Sequence, residues 1–351
     1  MSSVLLLGNG FNNSLQNFIE DERLREDIQQ VIELWHALDE RLGENFSESD
    51  LERVYEAFDV LRMLKFFEKN EVYKSCFNEL QNAVDSELAN TIWDIVEGFV
   101  NLETNGFYIR LADYLNRSLF RIFLPFQAVN NNKVCIYTTN YDGIAEIVLA
   151  YDPNEEDERR RIKLPDMFGW CHEKYNCFSQ SNFIRDYEEP KLLHLHGSYK
   201  FYYYNRLSIK LKRSYINEFK QFEEPIIILN APRLKERQIM RYPVLDAYFS
   251  SFQFDLKRYN KLVIWGQSLR SDPHILETIK KSLGEKKKEV EKKKDRFEFE
   301  IVIINLEDEL ENIVRSIKQK LGNGLSRKIK FNQISANERT FINLLREALN
   351  P

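Results

Sequence analysis

The sequence predicts an α/β fold, a mainly parallel sheet carrying a large helical insertion after its first strand. Three observations lead there. Apolar, strand-like runs at residues 4–7, 134–138, 192–196 and 261–265 each stop abruptly in small or polar residues. From Lys133 onward such runs alternate with segments of helical periodicity, as parallel sheets built from βαβ units require. Between the first two runs the apolar spacing is helical throughout.

Composition narrows the classes. With 351 residues, 43% hydrophobic and 13% aromatic, the chain can bury the core of one large domain or two modest ones, which excludes a disordered protein. Charges nearly balance at a net −5, so no general attraction to nucleic acid is expected. The apolar start is too short for a signal peptide and lacks a basic leader, and no later run is long enough to span a bilayer. A cytoplasmic chain without a membrane segment is expected. Cys76, Cys135, Cys171 and Cys177 form no C-x-x-C pair, so neither a zinc ribbon nor a disulfide framework is expected. Cys171 and Cys177, with His172 between them, offer at most part of a metal site.

The elements follow in order. After strand 4–7, Val31, Leu34, Trp35, Leu38 and Leu42 repeat at helical spacing, as do Leu51, Val54, Tyr55, Phe58 and Leu61. Further helical runs pass through Leu80, Val84, Leu88, Ile92, Ile95 and Phe99, then from Phe107 to Val129. Residues 11–129 therefore read as a helical subdomain whose aromatic stripes are core, inserted into a sheet domain of residues 1–10 and 130–351. Strand 134–138 leads into a helix beginning near Gly143. Residues 152–161 read as a charged surface loop and 166–190 as irregular. Strands follow at 192–196 and 225–229. Residues 238–259 read as helix with a break near Pro243, then strand 261–265 and a helix from Pro273 to Leu283. The lysine-rich stretch 285–296, interleaved with acids, reads as a solvated helix extension or loop and not as a nucleic-acid site. Strand 297–305, helix 310–321 stopped by glycine, strand 328–334 and helix 337–349 close the chain.

The strand ends carry the chemistry. Gly8-Asn9-Gly10-Phe11 follows the first strand, where glycine allows a tight turn and lets backbone N–H groups approach a diphosphate. Asn13 stands where a third glycine of the dinucleotide fingerprint belongs, and no acidic strand tip follows, so an ordinary dehydrogenase pattern fails. Thr139, Asn140 and Asp142 end the second strand. Asn140 and Asp142 share a side of an extended chain and suit a carboxamide or ribose hydroxyls; Asp142 also suits a helix cap. His196 ends its strand beside Gly197 and is placed as a general base. His194 lies deeper and reads as a packed neighbour. At the fourth turn, Gly266 and Ser268 suit a phosphate at a helix amino end, Asp272 before Pro273 has the position of the N-cap, and His274 reads as structural. Asn305 ends an apolar strand and suits a ribose, or merely opens the next turn.

In this order the motifs resemble the sirtuin superfamily: a glycine-rich turn, T-x-N-x-D, H-G, G-x-S-L and an apolar strand closing in Asn. The start at Gly8-Asn9-Gly10-Phe11, the helical insertion and the turn from Gly266 to His274 are similar to the bacterial sirtuin-like NAD-cleaving enzymes, a group that acts in anti-phage defence. The resemblance spans residues 4–305 and implies a Rossmann-like sheet that binds NAD as substrate with no metal. It places Asn140 and Asp142 at the nicotinamide end, His196 as the catalytic histidine, and Ser268 and Asn305 at phosphate and adenosine ribose. Deacylating sirtuins carry paired cysteines and a G-I-P-D-F-R stretch after the glycines. Residues 11–14 and the cysteine spacing offer neither, which counts against deacylation and leaves NAD binding untouched.

The implied reaction is hydrolysis of the nicotinamide–ribose bond to nicotinamide and ADP-ribose, depleting NAD. The alternatives are a module that senses NAD or ADP-ribose without cleaving it, and a deacylase or ADP-ribosyltransferase. A freely active enzyme of this kind would be toxic, so control by homo-oligomerisation or a regulatory protein partner is expected. The insertion and residues 285–296 are the candidate contact surfaces.

Overall fold

The computed structural model describes residues 2–45, 88–155, 162, 164–186, 190–222, 224–228, 235–270 and 272–350. The expected helical run from Leu51 to Leu61, residues 80–87 of the next run and most of the charged stretch 152–161 lie outside them.

Six strands form one all-parallel sheet: β1 (Ser3–Leu7), β2 (Val134–Thr138), β5 (Leu192–His194), β9 (Lys261–Trp265), β10 (Phe299–Asn305) and β11 (Ile329–Ser335), in the order β11-β10-β9-β1-β2-β5. The chain leaves β1 toward β2 and β5, then returns to β9 on the other side of β1. That reversal opens a crevice at the carboxyl ends of β1, β2 and β9, where open α/β sheets bind their ligands. The fold is the Rossmann-like arrangement that the alternation predicts.

Side chains alternate across each strand and seal both faces. Leu5, Leu7, Ile136, Trp265 and Ile304 enter one core. They meet α1 (Asn9–Phe18), α2 (Glu22–Asn45), α3 (Leu88–Thr104), α4 (Phe107–Ser118) and the closing helix α12 (Phe341–Leu349) through Phe11, Val31, Phe99, Leu111 and Leu345. Val4, Leu6, Tyr137, Ile264 and Ile303 enter the other. There they meet α8 (Pro243–Arg258), α9 (Pro273–Lys292) and α10 (Glu307–Leu321). The inserted helices thus supply one covering layer of the sheet. Burying a Leu or Phe side chain is worth about 1.5–3 kcal/mol, so both faces contribute strongly. No described helix is long and apolar enough to cross a membrane.

Several elements differ from the expectation. A second, antiparallel sheet is present, ordered β3-β4-β7-β6-β8, from β3 (Phe168–Trp170), β4 (Tyr175–Phe178), β6 (Gly197–Tyr204), β7 (Leu207–Leu211) and β8 (Glu224–Ile227). Residues 166–190, read as irregular, supply β3 and β4 and the short helix Gln180–Asp186. Their short, mixed-polarity strands give no clean alternation. The apolar run expected as a strand at 225–229 supplies Pro225 to Ile227 of β8, which pairs antiparallel with β6 instead of joining the parallel sheet; Leu229 lies outside the described residues. The β3–β4 hairpin brings Cys171 and Cys177 to 5.8 Å between Cα atoms, where they form a disulfide. None was expected, because strand pairing and not sequence spacing creates the contact. After Gly143 the helix turns into a π-helical stretch, Glu146–Ala150. α9 runs on through the lysine-rich segment to Lys292.

Candidate active site

Two glycine turns interlock at the carboxyl edge of the sheet. Gly8 donates its N–H to Trp265 O at 2.9 Å, and Gly10 donates to Gly266 O at 3.0 Å. A Cβ on Gly266, whose φ is +69°, would stand 2.4 Å from Gly10 C and from Phe11 N. Glycine is therefore required here for one loop to lie on another. The Gly10 N–H, expected to approach a diphosphate, is committed to the neighbouring loop.

Above these turns lies a cleft of about 310 Å³, within the size range of ligand pockets. Asn9, Gly10, Thr139, Asn140, His196, Gly266, Ser268, Asp272 and Asn305 all line it, although they come from five separate stretches of chain. Asn13 and Asn17 of α1 and His36 of α2 also face it, so the helical insertion contributes to its wall. The remaining predicted residues sit beneath. Phe11, expected at the ligand, is fully buried, edge-on to Trp265 with ring centres 5.0 Å apart. Its ring is apolar core. Gly8 packs under Gln267 and Gly266. Asp142 is buried outside the cleft lining: Oδ1 accepts from the Ile144 N–H and Oδ2 from Asn12 Nδ2, each at 2.9 Å. It is a cap that ties β2 to α1, the alternative its position also allowed.

Asn140 is held from three sides. Its N–H donates to Thr138 Oγ1 at 3.0 Å, its Nδ2 lies 3.4 Å from Gly8 O, and its carbonyl accepts from His194 Nδ1 at 2.9 Å. The side-chain oxygen is buried with no partner among the described residues, as is Asn9 Oδ1. A buried acceptor left unmade costs about 1–3 kcal/mol, so two of them lining one cleft fit a ligand bearing hydroxyl donors.

His196 ends the turn from the parallel sheet into β6. Gly197 has φ +86°, and a Cβ there would fall 1.8 Å from Ile226 O, so only glycine lets the chain turn out directly after the histidine. His196 Nε2 meets His274 Nε2 at 3.1 Å, one donating and the other accepting, and lies 3.6 Å from Asp272 Oδ1. Burial drives the His196 imidazole well below its usual range; Asp272 opposes this while Lys235 and His274 add to it. Burial likewise lowers His274, to about 4. Both rings are neutral at pH 7. Asp272 holds the N-cap position of α9 but makes no side-chain cap bond. It turns inward instead: Oδ1 accepts from Lys235 Nζ at 2.6 Å, and Oδ2 from Gln267 Nε2 at 2.5 Å. Burial works against its charge, but His196, Lys235 and His274 outweigh it and hold the carboxyl below the usual range.

Ser268 and Asn305 complete the predicted lining. Asn305 Oδ1 accepts from the Leu306 N–H at 2.9 Å, leaving its amide NH₂ group for a ligand. Donor atoms of His196, Asp272 and His274 lie within 4.8 Å of one another, close enough to hold a cation. Lys235, however, already places a positive charge on the carboxylate. The group reads as a hydrogen-bonded acid–base cluster.

The model of the SIR2-like domain matches residues 134–321, more than half of the chain. The chain belongs to the SIR2-like family. A search of curated proteins gave no match. The SIR2-like match runs from β2 to α10 and includes Asn140, His196, Gly266, Ser268, Asp272 and Asn305; β1, its glycine turn and the helical insertion lie ahead of it. A SIR2-like domain implies NAD binding. The site also contains residues that sequence reasoning missed. Lys235 starts a helix 37 positions before Asp272 and carries no local signal. His274, two residues after Asp272 in the first turn of α9, reads from the sequence as merely structural, yet its ring meets His196.

Proposed function

We propose that this SIR2-like protein hydrolyses NAD at the nicotinamide–ribose bond, releasing nicotinamide and ADP-ribose. The observation that carries the reading is the meeting of Asn140 and His196, from the ends of β2 and β5, in one cleft with a neutral imidazole and an unpartnered amide oxygen. Nicotinamide departs from a cationic precursor as a neutral molecule, so the leaving group needs no general acid. The protein must hold the ribose and accept a proton from the attacking water or a ribose hydroxyl.

Asn140 Oδ1 accepts from that hydroxyl or water. His196 takes the proton. With Nε2 engaged by His274, Nδ1 is the nitrogen left for substrate, which requires the tautomer that donates from Nε2. Ser268 serves the diphosphate and Asn305 the adenosine ribose. Asp142 acts at one remove, by fixing the β2 end against α1. The resemblance to defence enzymes extends the proposal to NAD depletion during phage infection, readable as a fall in cellular NAD in infected cells expressing the protein.

The direct test incubates purified protein with NAD and resolves the products by chromatography. Nicotinamide and ADP-ribose are expected, falling about 10²–10⁴-fold in His196→Ala, with a comparable loss in Asn140→Ala. NAD binding without nicotinamide release would leave a sensor; release only with an acylated peptide would indicate deacylation. Either result overturns the proposal.

A further inference from the structure

Lys235 is a charged side chain of the cleft that the proposed reaction leaves unused. It is 3% exposed at the start of α7 (Lys235–Arg241), and its ammonium bonds Asp272 Oδ1 at 2.6 Å. The same oxygen lies 3.6 Å from His196 Nε2. The charged and titratable groups facing His196 are therefore Asp272 from the turn before α9, His274 from its first turn, and Lys235 from α7.

We infer that Lys235 is a positioning residue for the proposed hydrolysis: by neutralising Asp272 it leaves His196 beside a compensated carboxylate and a neutral imidazole, free to act as a base. This rests on the reading of His196 given above. A buried carboxylate without a countercharge would capture a proton on the nearest imidazole, and the resulting ion pair would have no lone pair to offer. With Lys235 present the ammonium and carboxylate cancel, and His196 need not be charged to balance the site. Gln267, bonded to the other oxygen, fixes which edge of Asp272 faces the histidine. Both distances are measured to one oxygen, so the ammonium lies no more than about 6 Å from the ring nitrogen. At an effective dielectric near 20, that separation corresponds to a shift of about two pH units.

The test is a histidine titration followed by NMR on ¹⁵N-histidine-labelled full-length protein without NAD, with His196 assigned from a His196→Gln sample. In Lys235→Met the His196 midpoint rises by about two pH units over wild type, and the acid limb of kcat/KM moves up with it. Lys235→Arg keeps the wild-type midpoint. The double variant Lys235→Met/Asp272→Asn returns His196 to neutral and restores the wild-type acid limb, which a merely structural lysine would not do. It also serves if Lys235→Met alone fails to fold, since it leaves no uncompensated charge. A Lys235→Met midpoint no higher than wild type, an imidazole that titrates in neither protein, or an equal loss of activity at every pH overturns the inference. The NMR arm uses no NAD, so absence of nicotinamide release refutes hydrolysis without deciding the role of Lys235.

Discussion

Replacing Gly266 by alanine tests whether the two glycine turns truly interlock. The new methyl would run into the Gly10–Phe11 backbone, at 2.4 Å from Gly10 C and Phe11 N and 2.5 Å from Gly10 Cα. None of these is the end of a flexible side chain, so the loops themselves must separate. The φ of +69° adds a second cost, about 1–2 kcal/mol for an L-residue in the left-handed region. Overpacking in a tight site typically costs a further 1–3 kcal/mol or so. The sum, roughly 2–5 kcal/mol, is a large share of a typical domain's stability of about 5–15 kcal/mol. In urea, with a slope of about 3 kcal/mol/M, the unfolding midpoint falls by around 1 M or more. Gly284 supplies the control. It lies inside α9 with nothing within 4 Å of its Cβ position, so Gly284→Ala gains about 0.5–1 kcal/mol from helix propensity. If Gly266→Ala unfolds within about 0.5 kcal/mol of wild type, the close approach that orders the cleft floor is wrong.

Two further outcomes follow from buried charge and capping. Burial would raise the Glu146 carboxyl, but Lys210 at 3.0 Å and Lys200 at 3.8 Å outweigh it and hold it well below 4.5. Its contribution is thus fully present above the unfolded value and is lost as pH falls through the lower folded one; Lys210→Met takes the nearer cation from Glu146 and the 2.6 Å partner from Asp166, costing about 3–5 kcal/mol in denaturant titrations at pH 7. A Lys210→Met protein as stable as wild type at pH 7 would contradict this. Asp142→Ala breaks two buried bonds and leaves Asn12 unpaired, so it lowers stability by about 1–3 kcal/mol while affecting turnover less than His196→Ala; a kcat loss as large as that of His196→Ala, with stability unchanged, would return Asp142 to the reaction itself.

What the sequence revealed and what it hid divide along a physical line. The parallel strands were legible because each is a short apolar run buried on both faces and cut off by a polar or glycine end. The same pattern identified nine of the residues that line the cleft, since strand ends at a switch point must face one crevice. The antiparallel sheet was not legible: β3 and β4 are short and half-exposed, and β8 reads like any buried strand until its partner is known. Phe11 was drawn into the site by its place next to the glycines, yet its ring is needed between Trp265 and Phe341. Asp142 followed Asn140 by spacing, but Asn12, 130 positions away, captures its carboxylate. Asp272 was legible as a helix start; the Lys235 bond that turns it inward depends on tertiary placement alone.

These hidden contacts share a logic that bears on why the cleft can hold a neutral base and a bare amide oxygen at all. Each catalytic candidate is backed by a buried charge cluster that balances itself. Behind His196, Lys235 offsets Asp272. Behind Asn140, His194 holds the backbone carbonyl, and its other nitrogen lies 3.6 Å from Glu146, which Lys210 and Lys200 offset in turn. Lys200 and Lys210 come from β6 and β7 of the antiparallel sheet. That sheet is therefore more than a lateral extension: it brings countercharges to the underside of the site. A charge left unbalanced in such burial would draw a proton or water and shift its neighbours. Balanced in place, the two clusters position Asn140 and His196 without competing for the substrate, and the side-chain oxygens of Asn140 and Asn9 stay open to a ligand in the cleft.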